Sequence, residues 1–387
     1  MPPDIDEQYL KDQLARLLSI PSPSGYTDSI VHHVSEELER LGIGYQVTRR
    51  GAILSNYRGQ QRRGARAIVA HLDTLGATVK RIKETGRLEL VPIGTWPARF
   101  AEGTRCTIFT DEGSFRGTVL PLKASGHTFN DEVNTQPVGW QHVEVRVDAN
   151  AYDREHCEKL GIRVGDFVAI DPETEFLDNG FIVSRHLDDK AGCAVMLAAM
   201  KWMVDNEVET PVDIHFIFTI TEEVGSGASS VLLDNVVAMV SIDNGATAPG
   251  QNSSEWGATI GMADQVGPFD YHLTRKLIRL CEDNDIVHQR DVFRYYRSDS
   301  ASAIEGGADV RTALITFGID ASHGYERIHL HALVSLAQLT ALYAASEVKI
   351  TRDIEELGDI KGFTDQPSEE ADQASEKVPP PPEEEEE

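Results

Sequence analysis

Several features are scarce in this sequence of 387 residues, and each absence excludes a class of protein. No run of about 18 apolar residues occurs, so no segment is expected to span a membrane. The N-terminal stretch is acidic and lacks the apolar core of a signal peptide. The four cysteines are widely spaced and form no Cys-x-x-Cys pair, which predicts reduced thiols in a cytoplasmic protein.

Positive charge is also scarce, because 36 lysines and arginines face 63 acidic residues and leave a net charge of −27. This balance argues against binding to the phosphate backbone of a nucleic acid. Part of the acidity is local, since residues 359–387 turn to proline, serine, glutamine and glutamate and close with four prolines and five glutamates. A segment of this composition cannot bury enough apolar surface to order itself, so we expect a disordered acidic tail.

The rest of the chain shows two kinds of pattern. Helical and strand patterns alternate in residues 1–74 and again in residues 172–358, where apolar runs such as Ala67–Ala70 and Val212–Ile220 have the character of buried strands. Residues 75–171 instead contain short strand patterns separated by turns, which is typical of a small β-barrel or sandwich. The sequence therefore predicts an α/β fold, a sheet flanked by helices, with an inserted β-domain.

A pair of adjacent carboxylates, Asp188 and Asp189, lies where an apolar strand pattern gives way to a helical one. Open α/β sheets place their chemistry outside the carboxyl ends of their strands. Two neighbouring carboxylates repel each other unless a cation lies beside them. The alternative interpretation is a helix N-terminus capped by aspartate and neutralised by Lys190, which is the commoner use of an isolated Asp-Asp-Lys.

Other candidate ligands follow the predicted ends of strands elsewhere in the chain. They are His71 with Asp73, Glu222 with Glu223, and Asp243, with His323 joining them from a loop. Any one of them is more often a structural residue than a ligand, but several at one sheet edge indicate a metal site. Imidazole and carboxylate ligands without thiolate suit zinc, cobalt or manganese. The set is large enough for two ions that share a bridging carboxylate, and it leaves one carboxylate over.

Glu222 and Glu223 are expected to differ in role. Neighbours on an extended segment point to opposite sides, so one is expected to bind metal and the other to face a water molecule that the ions acidify. A carboxylate in that position can take the proton of the water and later donate it to a leaving amine. Asp73 follows His71 by two residues and so lies on the same side of a strand, where it is placed to orient the imidazole.

The combination resembles the dinuclear metallo-aminopeptidases of metallopeptidase family forty-two, which include glutamyl, deblocking and tetrahedral twelve-subunit aminopeptidases. The resemblance covers roughly residues 8–345. Its motifs occur in a fixed order and are Ala70–Asp73, Arg185–Gly192, Thr221–Gly225, Ile242–Asp243 and a late histidine.

The resemblance implies a role for each candidate residue. The implied metal ligands are the bridging Asp188, His71 and Asp243 for one ion, and Glu223 and His323 for the other. Glu222 matches the general base of the family, and Asp73 matches the carboxylate that orients a ligand. Asp189 is then left to local hydrogen bonding and Lys190 to charge balance.

The resemblance also implies a fold, cofactors and partners. The catalytic domain would occupy residues 1–74 and 172–358 as a mixed sheet flanked by helices, as in zinc exopeptidases. Residues 75–171 would form a β-barrel that mediates dimerisation or larger assembly. Two divalent ions per subunit, zinc foremost with cobalt or manganese as alternatives, would act on short peptides. A cytoplasmic homo-oligomer such as a dodecamer is expected, with no nucleic-acid or membrane partner.

The last ligand departs from the family pattern, in which it usually lies in an Arg-Tyr-x-His-Ser context. Here the segment runs from Ala321 to His329, and His323 is preferred because Glu326 follows it at a spacing common in the family. His329 is the alternative. The loop resembles that of a branch linked to biosynthesis of dipeptide-amide osmolytes, which leaves open an amidohydrolase or deacylase acting on a small acylated dipeptide or osmolyte. A silent assembly subunit is a third interpretation, although every ligand and base position carries a competent residue.

Overall fold

The fold is described from a computed structural model that covers residues 1–354 and 358–366. Within these residues the chain forms nine α-helices. They are α1 (Glu7–Ser19), α2 (Asp28–Arg40), α3 (Gly126–Phe129), α4 (Glu132–Thr135), α5 (Arg154–Lys159), α6 (Leu187–Asp205), α7 (Tyr271–Asp283), α8 (Asp299–Glu305) and α9 (Leu330–Ala345). Short 3₁₀ turns occur at Ala98–Phe100, Trp140–His142 and Thr351–Asp353.

The same residues form seventeen β-strands. They are β1 (Gly44–Val47), β2 (Ile53–Asn56), β3 (Gln61–His71), β4 (Gly76–Ile82), β5 (Leu88–Ile93), β6 (Arg105–Thr110), β7 (Gly113–Pro121), β8 (Val143–Val147), β9 (Phe167–Ile170), β10 (Glu175–Phe176), β11 (Phe181–Ser184), β12 (Val212–Thr219), β13 (Val236–Ala246), β14 (Ala258–Ala263), β15 (His288–Val292), β16 (Arg311–Ile319) and β17 (Glu326–His329). The chain divides into two units, residues 1–347 and 348–387, and all seventeen strands belong to the first.

Eight strands form the central sheet, in the order β1-β2-β12-β3-β13-β16-β14-β15. Its inner strands β12, β3, β13 and β16 are parallel, whereas β2 and β14 run antiparallel to their inner neighbours. A parallel sheet is covered on both faces, which explains why these strands are continuous apolar runs in the sequence. All of β12 is buried, for example. The carboxyl ends of the parallel strands meet at one edge, where open α/β sheets bind ligands.

Helix α6 packs among α1, α9 and strands β3 and β13. Every residue from Leu187 to Met200 is buried, because small and apolar side chains cover all sides of this part of the helix. Gly192 is required by a close approach, since a Cβ atom at this position would lie 2.2 Å from Oδ1 of Asp189. The helix therefore holds the predicted Asp188–Asp189 pair in a tightly packed environment.

Strands β4 to β9 close into an antiparallel barrel in the order β4-β5-β8-β7-β6-β9. Strands of a barrel direct alternate side chains inward and outward. In β8, for instance, Val143, Val145 and Val147 are buried while Arg146 is exposed. The sequence left a barrel and a sandwich open, and the structure has a closed barrel between β3 and α6.

Strand β11 corrects one expectation. The apolar run before Asp188 does form a strand, but β11 lies in a separate three-stranded sheet between β10 and β17, not in the central sheet. It pairs with β17 from Phe181–His329 to Ser184–Glu326. Asp188 consequently reaches the sheet edge from the start of α6, and strand patterns alone do not reveal this because the pairing partner lies more than a hundred residues away.

Other expectations concern the ends and environment of the elements. Helix α9 ends at Ala345. All four cysteines are buried and free. Among the described residues, every helix is too short or too polar to cross a bilayer. The predicted acidic tail lies mostly outside the described residues, which resume for 358–366 and do not include 367–387.

Candidate metal centre

The predicted site residues converge at the carboxyl edge of the central sheet. His71 ends β3, and Glu222 and Glu223 follow the end of β12. Asp243 lies within β13, which continues for three residues beyond it to Ala246 and not only up to it as the sequence suggested. Asp188 comes from the first turn of α6, and His323 from the loop between β16 and β17. These side chains belong to five distant parts of the chain.

Asp188 lies between two imidazoles. Its Oδ1 is 3.2 Å from Nε2 of His71, and its Oδ2 is 3.3 Å from Nε2 of His323. Burial alone would raise the pKa of Asp188, but the contacts with His323 and His71 hold it below its usual range. The Asp188 contact also raises the pKa of His323 to about 10 despite burial. Each oxygen of this carboxylate is thus directed at a different potential metal ligand.

Both imidazoles are oriented through their second nitrogen. Nδ1 of His323 lies 3.0 Å from the carbonyl oxygen of Thr95, which belongs to the inserted barrel segment. Nδ1 of His71 lies 2.9 Å from the backbone carbonyl of Asp73, closer than the 3.6 Å to the Asp73 carboxylate. An N–H donated to a carbonyl leaves Nε2 as the ligand atom in each ring. The carboxylate of Asp73 was expected to orient the His71 ring, but the backbone carbonyl of Asp73 does so instead, because it lies closer.

The Asp73 carboxylate instead holds the segment that carries the two glutamates. Its oxygens accept hydrogen bonds from the backbone N–H groups of Glu222 at 3.1 Å and Glu223 at 3.3 Å, and from the hydroxyl of Ser24 at 2.5 Å. Glu222 and Glu223 lie in a turn closed by a bond from Gly225 N–H to the Glu222 carbonyl. The expectation of an extended segment was wrong, because these bonds curl the chain directly after β12.

The turn still gives the two glutamates different neighbours. Glu223 offers a carboxylate oxygen within 4.8 Å of ligand atoms of His71 and Asp188, and its Oε2 is 3.9 Å from Nε2 of His323. Glu222 Oε2 is 3.8 Å from Nε2 of His71, and its side chain is 16% exposed, against 5% for Glu223. Burial raises the pKa of both carboxyl groups well above the usual range, and neighbouring carboxylates add to the effect.

Asn244 is a site residue that sequence reasoning missed. Its side-chain N–H₂ group donates to Oδ2 of Asp188 at 2.8 Å and to Oδ1 of Asp243 at 3.1 Å. Burial and the nearby Asp188 raise the pKa of Asp243 to about 7. The sequence does contain a signal for Asn244, because it is a polar residue that directly follows the candidate ligand Asp243 within an apolar strand. Asn244 fixes the relative position of two carboxylates that would otherwise repel each other.

Asp299 was missed as well, and its sequence context resembles an ordinary helix start. The residue is buried, and its Oδ2 accepts a hydrogen bond from Thr219 at 2.7 Å. Burial raises its pKa to about 6. A Cβ atom at Gly227 would lie 1.7 Å from Oδ1 of Asp299 and 3.3 Å from Cα of Glu222. Asp299 therefore packs against the backbone of the turn that carries Glu222 and Glu223. This close packing leaves no room for a side chain at Gly227.

The neighbours of Asp188 do not act as the simple capping interpretation requires. Asp189 accepts a hydrogen bond from the backbone N–H of His71 at 3.1 Å. Lys190 is buried and donates to the carbonyl of Ile20 at 2.6 Å, and burial lowers its pKa to about 7. Among the described residues Lys190 forms no ion pair with Asp188 or Asp189, so this geometry does not give Lys190 the role of balancing their charge.

The alternative last ligand, His329, lies elsewhere. Its Nδ1 accepts a hydrogen bond from the backbone N–H of His331 at the start of α9, and its Nε2 lies 3.0 Å from the carbonyl of Asn179. Its ring packs on Trp256 with a centroid distance of 4.0 Å. Both nitrogens are engaged outside the cluster, whereas His323 faces Asp188.

A cleft of about 1210 Å³ opens over the cluster. Its lining includes the cluster residues Asp188, Glu222, Glu223, Asp243 and His323. It also includes residues 292–297, with two arginines, Arg294 and Arg297. The site thus combines a buried group of carboxylates and imidazoles with an open space of the size that small-molecule and peptide sites require.

Comparison of the sequence with known protein families and proteins identifies several relatives. A sequence model described as M42 glutamyl aminopeptidase matches residues 51–339. The Bacillus subtilis protein YhfE is 36% identical over 334 residues, which cover 86% of this chain and 96% of that protein. The glutamyl aminopeptidase of Lactococcus lactis is 26% identical over 227 residues, or 57% of this chain and 62% of the relative.

Solved structures share the fold. The Pyrococcus horikoshii TET1 peptidase, described as able to assemble into a tetrahedron or a large octahedral shell, superposes with a TM-score of 0.77 and 24% identity, covering 87% of this chain and 99% of that chain. An aminopeptidase from the archaeon Desulfurococcus kamchatkensis also gives a TM-score of 0.77 with 24% identity, covering 87% and 94%. These likenesses extend over both the central sheet and the barrel.

Proposed function

The chain belongs to the M42 glutamyl aminopeptidase family, and from this premise we propose that it removes N-terminal residues from short peptides with two divalent metal ions. It is a peptidase, an aminopeptidase-type hydrolase. The observation that carries the proposal is the position of Asp188, whose two oxygens lie 3.2 and 3.3 Å from imidazole nitrogens of His71 and His323. A carboxylate placed between two imidazoles is suited to bridge a pair of metal ions, each of which one imidazole would also bind.

The chemistry of the donor set fits such ions. Two imidazoles and at least three carboxylates meet here without a thiolate, a combination that suits zinc, cobalt or manganese. The crowded carboxyl groups of Glu222, Glu223 and Asp243 have raised pKa values, and cations would relieve their repulsion. We assign His71, Asp188 and Asp243 to one ion and Asp188, Glu223 and His323 to the other, with zinc as the expected metal.

The proposed chemistry assigns one carboxylate to proton transfer. When bound, two divalent ions polarise a peptide carbonyl and lower the pKa of a water molecule. Glu222 would take a proton from this water, whose oxygen would add to the carbonyl carbon, and would deliver the proton to the leaving amine as the C–N bond breaks. This assignment is supported by its greater exposure to the cleft and by its turn, which the Asp73 carboxylate holds through two backbone N–H groups. Asp73 thereby acts as a positioning residue.

The substrate is proposed to be a short peptide with a free α-amine. Several carboxylates in the lining of the cleft favour a cationic group, and an ammonium beside them would place the first peptide bond near the ions. The assembly seen in the TET1 relative is extended to this chain as part of the proposal, with residues 75–171 as the assembly domain and residues 1–74 and 172–358 as the catalytic domain. A cytoplasmic location is proposed from the free cysteines.

The test compares a short peptide with its N-acetylated form. The protein is stripped with a chelator and then supplied with zinc, cobalt or manganese, and release of the first residue is followed by chromatography. Cleavage of the free peptide that depends on added metal is the expected result. Equal or faster cleavage of the acetylated peptide would overturn the aminopeptidase assignment and favour hydrolysis of acylated dipeptides.

A further inference from the structure

A short segment, Phe293–Arg297, forms part of the lining of the cleft that contains the cluster. Its two inward aromatic residues, Phe293 and Tyr296, pack in a small apolar cluster with Phe269 and Leu314. The backbone is fixed by hydrogen bonds from Phe293 N–H to the Ala263 carbonyl and from Gln265 N–H to the Tyr296 carbonyl, each 3.0 Å. The segment, called the arginine wall below, is thus anchored on both sides and presents the remaining side chains outward.

The outward side chains of the arginine wall include two arginines, and only one of them has an ion-pair partner among the described residues. Arg297 pairs with Glu305 at 2.6 Å. Arg294 is exposed and, among residues 1–354 and 358–366, has no hydrogen-bond or ion-pair partner. Both line the same cleft as Asp188, Glu222, Glu223 and Asp243. The lining of the cleft therefore contains both carboxylate and guanidinium groups, and Arg294 is the unpaired one of the two arginines.

A cleft lined by groups of both charges suits a ligand that carries charges of both signs. An unpaired arginine in the lining of a binding cleft can form a charge-assisted and often bidentate bond with a carboxylate. The carboxylates of the cluster cannot offer that interaction, because they repel an anion. A peptide whose α-amine lies at these carboxylates would leave its own carboxylate to bind the arginine.

We propose that Arg294 is a specificity-determining residue that binds a carboxylate of the substrate, with Arg297 adding positive charge beside it. The inference rests on the proposed aminopeptidase function. The carboxylate can belong to an acidic side chain of the N-terminal residue or to the C-terminus of a very short peptide. In both cases the ammonium of the substrate would lie at the cluster and its carboxylate at Arg294.

The test uses two matched pairs of substrates in the metal-loaded protein. The first pair is glutamyl-p-nitroanilide and glutaminyl-p-nitroanilide, which differ in the charge of the side chain alone. The second pair is leucyl-leucine and leucyl-leucine amide, which differ in the charge of the C-terminus. For each pair, the ratio of kcat/KM for the anionic member to that for the neutral member is compared between the original protein and Arg294→Gln.

The expected result is a fall of about tenfold in one of the two ratios, the size of one charge-assisted hydrogen bond at a partly exposed site. The ratio that falls identifies the source of the carboxylate. The effect should shrink as salt is raised, since the group is exposed. Arg290→Gln is the matched control, because Arg290 lies on the neighbouring strand β15, is exposed and does not line the cleft. It should leave both ratios within about twofold of the original.

A second measurement separates this inference from the proposed function. Calorimetric titration of glutamate, glutamine, leucyl-leucine and leucyl-leucine amide into the metal-loaded Glu222→Gln protein, with and without Arg294→Gln, needs no turnover. Selective loss of binding of an anionic ligand on Arg294→Gln supports the role of Arg294 even if peptide cleavage fails. Equal effects on both members of each pair, or no effect on any ratio or affinity, would overturn it.

Discussion

The adjacent glutamates offer the sharpest perturbation of the proposed site. Glu222→Gln and Glu223→Gln remove the same charge, preserve the same shape and leave intact the backbone N–H groups that bond to Asp73. They differ only in which side chain is neutralised. Because Glu223 lies with His71 and Asp188 in the group of potential ligands, whereas Glu222 is the more exposed to the cleft, the two variants should fail in different ways.

Glu222→Gln should lower kcat by about 100- to 10,000-fold, the usual contribution of a positioned general base. This range corresponds to about 3–5 kcal/mol of activation free energy. The metal content should stay close to that of the original protein, since the proposed ligands are untouched. Glu223→Gln should instead weaken metal binding by at least about tenfold, because even the loss of an outer partner of a ligand costs that much.

The assay has two readouts. Metal per subunit is measured by mass spectrometry after dialysis against a series of buffered zinc concentrations, and kcat is measured at saturating metal. Glu112→Gln, which alters an exposed glutamate of the barrel, serves as the control for the loss of one negative charge. The reasoning is refuted if Glu222→Gln empties the site while Glu223→Gln keeps its metal and loses turnover, since the two roles would then be exchanged.

Further predictions follow from the packing and from the domain organisation. Gly192→Ala should lower the free energy of unfolding by about 1–3 kcal/mol, because its Cβ would lie 2.2 Å from Oδ1 of Asp189 in a packed helix; thermal unfolding checks this against Gly126→Ala, which meets open space. Replacing residues 75–171 by a short Gly/Ser linker should give smaller particles by light scattering, and an unchanged particle mass would refute the assembly role. Ending the chain after Lys361 should leave kcat/KM within about twofold at saturating metal, because a charged, apolar-poor segment is not expected to contribute to the site; a large loss would contradict the prediction.

Much of the site could be predicted from sequence because its signals are local. The ends of β3 and β12 are visible as apolar runs that stop at polar residues, and His71 and the glutamate pair follow directly. The same holds for Asp188 and Asp189, since a strand pattern and a helix pattern meet there. A long apolar run is expected to be buried, and a charged residue at the end of a buried strand needs a partner or a function. These candidate positions can therefore be recognised from the sequence alone.

The sequence by itself determined the α/β class, the inserted β-domain, the acidic C-terminal composition and most candidate ligands, because periodicity and composition express what each segment can bury. Tertiary structure decided which atoms meet. Only the tertiary packing of β11 on β17 and of α6 on β3 and β13 places Asp188 beside the central sheet, and only the fold brings Asn244 to two carboxylates and the Thr95 carbonyl to His323. Such contacts join residues far apart in sequence, and no local pattern encodes a distance between them. The same physical reason hid the arginine wall, whose residues resemble an ordinary polar loop in the sequence, whereas the fold places them in the lining of the cleft that contains the cluster.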